Sequence, residues 1–194
     1  MIKISAVLLA AGLSKRMGED KLLLNYLGNP MLQQSVNLLS ELPVFERILV
    51  TSDARIKQIV LPPGIRFYSK PSPESGQSSS IRVGIDASSG THYLFISADQ
   101  PKLSLTDLLP LIESATENPD KIIFPTIDSQ PNSPTLFPAK FRTELLNLSG
   151  DSGGRTIRDA NPELCLSIEP EYPDNFIDID SEEDFIELIK GEKQ

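Results

Sequence analysis

The chain has 194 residues, 27 acidic against 18 basic, for a formal charge of −9, and one cysteine. That length supports one domain with its own core, and the lone Cys165 excludes a disulfide framework or a cysteine-rich zinc site, which fits a reducing, cytoplasmic setting. No apolar run approaches the ~20 residues of a membrane span, and the absence of a long basic stripe speaks against nucleic-acid binding, while a small anionic ligand stays possible.

Ile2–Ala10 runs into solid aliphatics, the pattern of a strand buried on both faces of a parallel sheet. It is too short, and too poor in cleavage signals, for a secretory core. Ala10-Ala11-Gly12 then forms a small-residue corner that lets a ligand approach the backbone. Pro30–Leu42 reads as a helix with Pro30 in its first turn. Arg47–Thr51 is a strand, Ala54–Leu61 a short helix stopped by Pro62-Pro63, and Ile65–Tyr68 a third strand. Lys70–Ser80 is a polar loop, and a helix follows over Ser78–Ala87. His92–Ser97 is the second strong buried strand and leads directly into Ala98-Asp99-Gln100-Pro101.

Ser104 or Thr106 caps a helix that continues to about Glu117. Lys121–Ile127 is a strand, Ser129–Pro134 a turn and Thr135–Phe137 a short strand. Ala139–Leu148 is helical. Glycines in Ser149–Arg155 mark a turn before a helix near Thr156–Ala160, and Leu164–Ile168 is a late strand. Phe176–Asp180 alternates apolar and acidic residues, and Ser181 caps a last helix to about Lys190, with Glu182, Glu183 and Asp184 favouring its N-terminal dipole. Residues 163–194 carry 11 acidic and 2 basic side chains, so the excess negative charge sits in the tail. Alternation of strand and helix points to one α/β domain with right-handed crossovers.

Four stretches carry candidate chemistry. Gly12–Lys21 lacks the spacing of a Walker A loop and of a dinucleotide fingerprint. It offers a backbone corner with Lys15, Arg16 and Lys21 for phosphate oxygens, or else is a solvated loop with surface lysines. Asp99 follows a buried strand at the edge where open α/β sheets bind ligands, and suits Mg²⁺ held by one or two carboxylates plus substrate phosphates; it also reads as a turn residue before Pro101. Asp178 and Asp180, two apart on a strand, would point the same way, toward one metal or into water. Gly76–Ser80 with Arg82 offers hydroxyls and amides to a nucleobase edge or ribose, or is a flexible linker. His92, the only histidine, is read as a packing or hydrogen-bonding residue, and Cys165 as an inert core residue.

In order, five motifs carry a resemblance that spans nearly the whole chain. They are Leu8-Leu9-Ala10-Ala11-Gly12-x-Ser14-x-Arg16-Met17-Gly18-x-x-Lys21-Leu22-Leu23, Gly76-Gln77-Ser78-Ser79-Ser80-Ile81-Arg82-x-Gly84, Ala98-Asp99-Gln100-Pro101, Ser149-Gly150-Asp151-Ser152-Gly153-Gly154-Arg155, and Asp178-Ile179-Asp180-Ser181-x-Glu183-Asp184. Together they resemble the nucleotidyltransferases that include molybdenum cofactor cytidylyltransferase, the MobA-like NTP transferase family. The resemblance implies a GT-A-like, Rossmann-related three-layer sandwich with a mostly parallel central sheet.

It also implies transfer of a nucleoside monophosphate from an NTP, with pyrophosphate released. By that resemblance Leu9, Ala10, Ala11 and Gly12 line the nucleotide, Arg16 and Lys21 hold the triphosphate, and Ser78, Ser79 and Ser80 with Arg82 recognise the base. Asp99 binds Mg²⁺, with Asp180, or Asp178, completing the metal site; Arg16, Lys21 and Asp99 are the catalytic set. The Ala-Ala-Gly corner and the Asp-Gln-Pro motif resemble the cytidylyl branch, so CTP is the expected donor and molybdopterin the expected acceptor, with a molybdoenzyme as client. One departure is Asn132-Ser133-Pro134, where the family commonly carries Gly-His-Pro on the acceptor side. The alternatives are another phosphorylated acceptor, such as a sugar phosphate, and a noncatalytic nucleotide-binding cofactor chaperone.

Overall fold

The central strand β1 (Ile4–Ala10) is apolar throughout because both of its faces are covered. Ala6, Leu8 and Ala10 enter one core while Val7 enters the other. The structure, a computed structural model, describes residues 1–12, 20–70 and 76–191. A single 3-10 turn over Lys21–Leu23 precedes the hairpin β2 (Asn25–Tyr26) and β3 (Asn29–Pro30). That hairpin turns through Leu27 and Gly28, whose positive φ values of 53° and 84° match the twist of paired strands.

Beyond it come α1 (Met31–Glu41), β4 (Glu46–Thr51), α2 (Asp53–Ile56), β5 (Ile65–Ser69), α3 (Gly76–Ala87) and β6 (His92–Ser97). The second half holds α4 (Leu105–Glu117), β7 (Ile122–Ile127), β8 (Gln130–Pro131), β9 (Thr135–Pro138), α5 (Arg142–Leu146), α6 (Arg155–Asp159), β10 (Cys165–Ile168) and α7 (Glu182–Gly191).

The main sheet runs β10-β7-β9-β6-β1-β4-β5, with β8 paired to β7. β1 is parallel to both β4 and β6, and β4 to β5; β9 is inserted antiparallel between β6 and β7. The chain thus steps outward from β1 to β4 and β5, then returns to lay β6 on the other side of β1. Such a reversal opens a crevice at the C-terminal ends of the two strands, where α/β sheets take their ligands. Helices α1, α4 and α7 contribute Leu32, Leu108 and Leu188 to the core on one face of the sheet. Helices α3, α5 and α6 cover the other face through Ile81, Leu145 and Ile157. This is the expected three-layer sandwich. Helix α3 lies so close to the sheet that a Cβ added at Gly84 would stand 2.5 Å from the Val7 side chain.

Several elements differ from the sequence-based expectations, each for a local reason. Helix α2 is one turn long, where a helix through Leu61 was expected. The Gln33 side chain takes both backbone groups of Val60, donating to its carbonyl at 3.0 Å and accepting from its amide at 2.8 Å, and this pulls the chain out of the helix. Helix α3 starts at Gly76, so the three serines belong to its first turns and not to a loop. The stretch 139–148 is divided into a 3-10 turn and the short α5. Finally, 177–180 is not a strand. It follows a 3-10 turn over Pro173–Phe176 and touches the end of β6 through one backbone bond, Ile179 N–H to the Asp99 carbonyl at 2.9 Å. Ser104, the first of the two candidate caps, is the one used; its amide donates to the Asp107 carboxylate at 2.9 Å in a capping box.

Candidate active site

The corner after β1 sits beside the end of β6, because Leu9 is in register with Ser97 and the Ala98 amide donates to the Leu9 carbonyl at 3.2 Å. This pairing carries Asp99 to the same edge as Ala10, Ala11 and Gly12. Ala10 and Ala11 are buried, whereas a side chain at Gly12 would meet none of the described residues within 4 Å. Packing therefore does not demand glycine at this position; room for a close ligand is what it leaves. Arg16, with Ser14, Lys15, Met17 and Gly18, lies outside the described residues.

Lys21 is the link between the two halves of the site. It begins the 3-10 turn that Asp20 caps through the Leu22 amide at 3.2 Å. From there its Nζ donates to Asp99 Oδ2 at 3.0 Å and to Asp180 Oδ1 at 2.9 Å. Residues 78 and 159 positions apart in sequence thus meet Lys21 at one point. Burial works against the charge on Lys21, but the two carboxylates outweigh it, so its pKa stands above the ordinary lysine value. The second oxygen of Asp99 accepts from the Ser97 hydroxyl.

Asp178 does not join that bridge directly. It lines the neighbouring cleft, and its carboxyl is pushed up to about 7, first by the walls that crowd it and then by the charges of Asp99 and Asp180. Its surface is open to the cleft, so the shift reflects protein around the group more than full burial. Three carboxylates therefore share one lysine. Hard oxygen donors with surplus negative charge suit a divalent cation, although among the described residues no three such side chains form a complete metal cage. Magnesium asks for less, one or two protein carboxylates with the remaining positions filled by phosphates and water.

The shift on Asp178 has a thermodynamic sign. Between its ordinary value of 3.8 and about 7 the folded protein holds a proton that the unfolded chain has released. Folding stability should therefore fall as pH rises through that window. In divalent-free buffer Asp178→Asn should melt higher than the wild type at pH 8, and the difference should vanish near pH 3.8 and below. A melting-temperature series against pH checks this; a lower melting point for the variant at pH 8 would contradict it.

The serines expected at the base are committed to the chain itself. The Ser78 hydroxyl donates to the Gly150 carbonyl at 2.8 Å and the Ser79 hydroxyl to the Gly76 carbonyl at 2.9 Å, while Ser80 is buried. Arg82 donates to the Leu148 carbonyl at 3.0 Å. These residues seat the start of α3 against the 149–154 turn. His92 packs as expected, its ring bonded to Thr91 and to the Pro119 carbonyl, and burial pushes the Cys165 thiol up.

On the α3 side of β1 lies a cleft of about 360 Å³. Leu9, Ile81, Phe95 and Phe137 form its apolar floor, and Ser97 and Asp178 bring it to the Asp99 edge. Asn132 and Ser133, the departure noted in the sequence, stand on its rim with Arg155 and Arg158. Gln100 ties this rim to the tail, donating to the Phe176 carbonyl at 2.9 Å and, more weakly, toward the Ser133 carbonyl at 3.4 Å.

Sequence reasoning gave Ser97 and Gln100 no role of their own, although both flank Asp99 in the stretch it singled out, and it passed over Arg55 altogether. Arg55 is 6% exposed and fully engaged with backbone carbonyls and Asp20. In the sequence it is one of two basic residues in a short segment, with Lys57 close by, and nothing singles it out.

A family model described as "MobA-like NTP transferase domain" matches residues 6–164. The chain belongs to this family. Within it, the chain is 35% identical over 123 residues to a probable molybdenum cofactor guanylyltransferase of Rhodopirellula baltica, covering 60% of this chain and 58% of the relative. It is 30% identical over 119 residues to a molybdenum cofactor guanylyltransferase of Rhizobium johnstonii, covering 61% of this chain and 55% of the relative. The match spans little more than half the length of either relative. Among solved structures, Rv0371c from Mycobacterium tuberculosis H37Rv aligns with a TM-score of 0.81 at 21% identity, covering 97% of this chain and 98% of that chain. At that identity the likeness concerns the fold. The MobA-like match includes most of β1, Lys21 and Asp99 but ends before Asp178 and Asp180, whose place beside Asp99 is a finding of the structure.

Proposed function

We propose that this chain transfers a nucleoside monophosphate from an NTP, CTP by preference, to the terminal phosphate of a small acceptor of the molybdopterin type, releasing pyrophosphate. The observation that carries the reading is the Lys21 bridge between Asp99 and Asp180, at the sheet edge where β1 and β6 part. Asp99 and Asp180 are the residues that would hold Mg²⁺, which when bound neutralises triphosphate charge and makes the α-phosphorus a better electrophile.

The chain's own residues do the rest. The Ala10–Gly12 corner receives the nucleotide against bare backbone, and the Lys21 ammonium offers a compact charge to phosphate oxygens. An acceptor in the adjacent cleft would rest its body on Leu9, Ile81, Phe95 and Phe137 and reach the Asp99 edge past Ser97. One oxygen of the acceptor phosphate attacks the α-phosphorus, the bond to the β-phosphate breaks, and pyrophosphate leaves with that electron pair. A phosphate monoester has its second pKa near ~6 and is already ionised at neutral pH, so the step needs no general base. Positioning and charge neutralisation suffice, as in phosphoryl transfer generally.

The names of the two relatives favour a second donor, GTP. Pyrophosphate release from CTP, GTP, UTP and ATP, each with Mg²⁺ and molybdopterin or a sugar phosphate, separates the cases. The expected result is release with CTP and molybdopterin. Release with GTP moves the donor to the guanylyl branch, and release with a sugar phosphate moves the acceptor. Nucleotide binding with no release from any pair points to the cofactor-chaperone reading.

A further inference from the structure

A buried arginine outside every motif that identifies the family spans the two flanks of the 13–19 stretch. Arg55 lies on α2, whose start is capped by the Ser52 hydroxyl accepting from the Arg55 amide at 3.3 Å. Its guanidinium donates to the Ala10 carbonyl at 2.5 Å and to the Gly12 carbonyl at 2.9 Å, both before the stretch. On the far flank it grips Asp20 with two parallel bonds, Nε to Oδ2 at 2.6 Å and Nη2 to Oδ1 at 2.9 Å. Thr51, at the end of β4, adds a second donor to the Ala10 carbonyl at 2.8 Å. With 6% of its surface exposed, Arg55 has no route to a substrate of its own.

Asp20 passes the constraint onward. The same Oδ1 that accepts from Arg55 also accepts from the Leu22 amide, capping the turn that begins with Lys21. The chain of contacts therefore runs from Arg55 to Asp20, to the Lys21 turn, and to the carboxylates of Asp99 and Asp180.

We propose that Arg55 is a positioning residue for nucleotide binding, a clamp that fixes the Ala10–Gly12 corner relative to Lys21 by holding Gly12 and Asp20 together. This inference rests on the transferase reading above. A planar, always-charged fork is what the geometry uses: it meets two carbonyls and a bidentate carboxylate at once. Lysine, a point donor on a flexible stem, cannot satisfy that set. Side chains acting as one unit give non-additive losses when removed together.

The test is steady-state kinetics on the full chain with Arg55→Lys, Asp20→Asn and the double variant, each first compared with the wild type by circular dichroism. Asp20→Asn is the milder change, since an asparagine oxygen can still cap the Leu22 amide, and it keeps the test usable if Arg55→Lys does not fold. The expected result is a rise in KM for the nucleotide of about tenfold in each single variant, with KM for the acceptor unchanged. The double variant should be no worse than the weaker single one. A purely structural arginine would lower the melting temperature and leave the nucleotide KM of the folded protein alone; that outcome, or an equal rise in both KM values, overturns the clamp. A wild-type protein active with NTP alongside unchanged variants overturns the clamp only. A wild-type protein that neither binds nor turns over any NTP overturns the transferase reading and the clamp with it.

Discussion

Replacing Asp99 with asparagine should lower NTP-dependent pyrophosphate release by about 100- to 1,000-fold, the usual cost of removing one group aimed at developing charge. The fold should survive the change. Asp99 is partly exposed, and Lys21 keeps its second partner, Asp180, so no buried charge is orphaned. The asparagine also retains an oxygen for the Ser97 hydroxyl. What disappears is one of the two negative charges facing the Lys21 ammonium, and with it a hard ligand for a divalent cation. Pyrophosphate release over a range of Mg²⁺ concentrations is the measurement. A loss relieved by high Mg²⁺ assigns Asp99 to cation binding, and turnover equal to the wild type removes it from the site.

Lys21→Ala is the second large effect, and it should push two observables in opposite directions. On the proposed reading, catalytic efficiency toward the nucleotide should fall about 100-fold, since the substitution would remove a charge offered to phosphate oxygens in a partly enclosed site. Divalent binding to the nucleotide-free protein should become tighter. Lys21 now compensates Asp99 and Asp180, and a cation arriving at those carboxylates competes with its ammonium. Removing that competitor leaves the carboxylates uncompensated. Lys21 also restrains the pKa of Asp178, which should climb further above about 7 in the variant. Calorimetric titration with Mn²⁺ or Mg²⁺ and an NMR titration of Asp178 check both points. Weaker divalent binding in Lys21→Ala would mean that the lysine supports the carboxylates through structure and does not compete for them.

The expectations that succeeded were those carried by strong, local patterns. β1 and β6 were legible because a strand covered on both faces must be apolar at consecutive positions, and few other environments ask for that. The start of α4 was legible as a cap at Ser104 or Thr106, but the choice of Ser104, and the capping box it forms with Asp107, came from the structure. Asp99 followed from β6, as its place at the sheet edge depends only on where that strand ends.

Failures occurred where a distant contact decided a local conformation. The short α2 reflects Gln33 on another helix claiming the backbone of Val60. That the Ser78 hydroxyl bonds to the Gly150 carbonyl, 72 residues later, was likewise invisible in the sequence. Phe176–Asp180 alternates like a strand, yet among the described residues no neighbour offers it a ladder, and it turns past Asp99 with a single backbone bond. Arg55 left no trace because its three partners, Ala10, Gly12 and Asp20, come from two remote segments.

By itself, then, the amino-acid sequence determined the strand–helix alternation, the buried centre of the sheet, the Ala10–Gly12 corner and the identity of the charged groups. Each of these depends on residue type and short spacing, which the chain carries locally. The tertiary structure alone decided which charges meet. Parallel pairing of β1 with β6 laid Asp99 beside the corner, and the tail returned Asp180 to the same point as Lys21, 159 residues away. It also tied the Ser78 and Ser79 hydroxyls to backbone carbonyls and brought in Arg55. Electrostatic and hydrogen-bond energies fall off within a few ångströms, so the chemistry of this edge depends on distances that no linear spacing encodes.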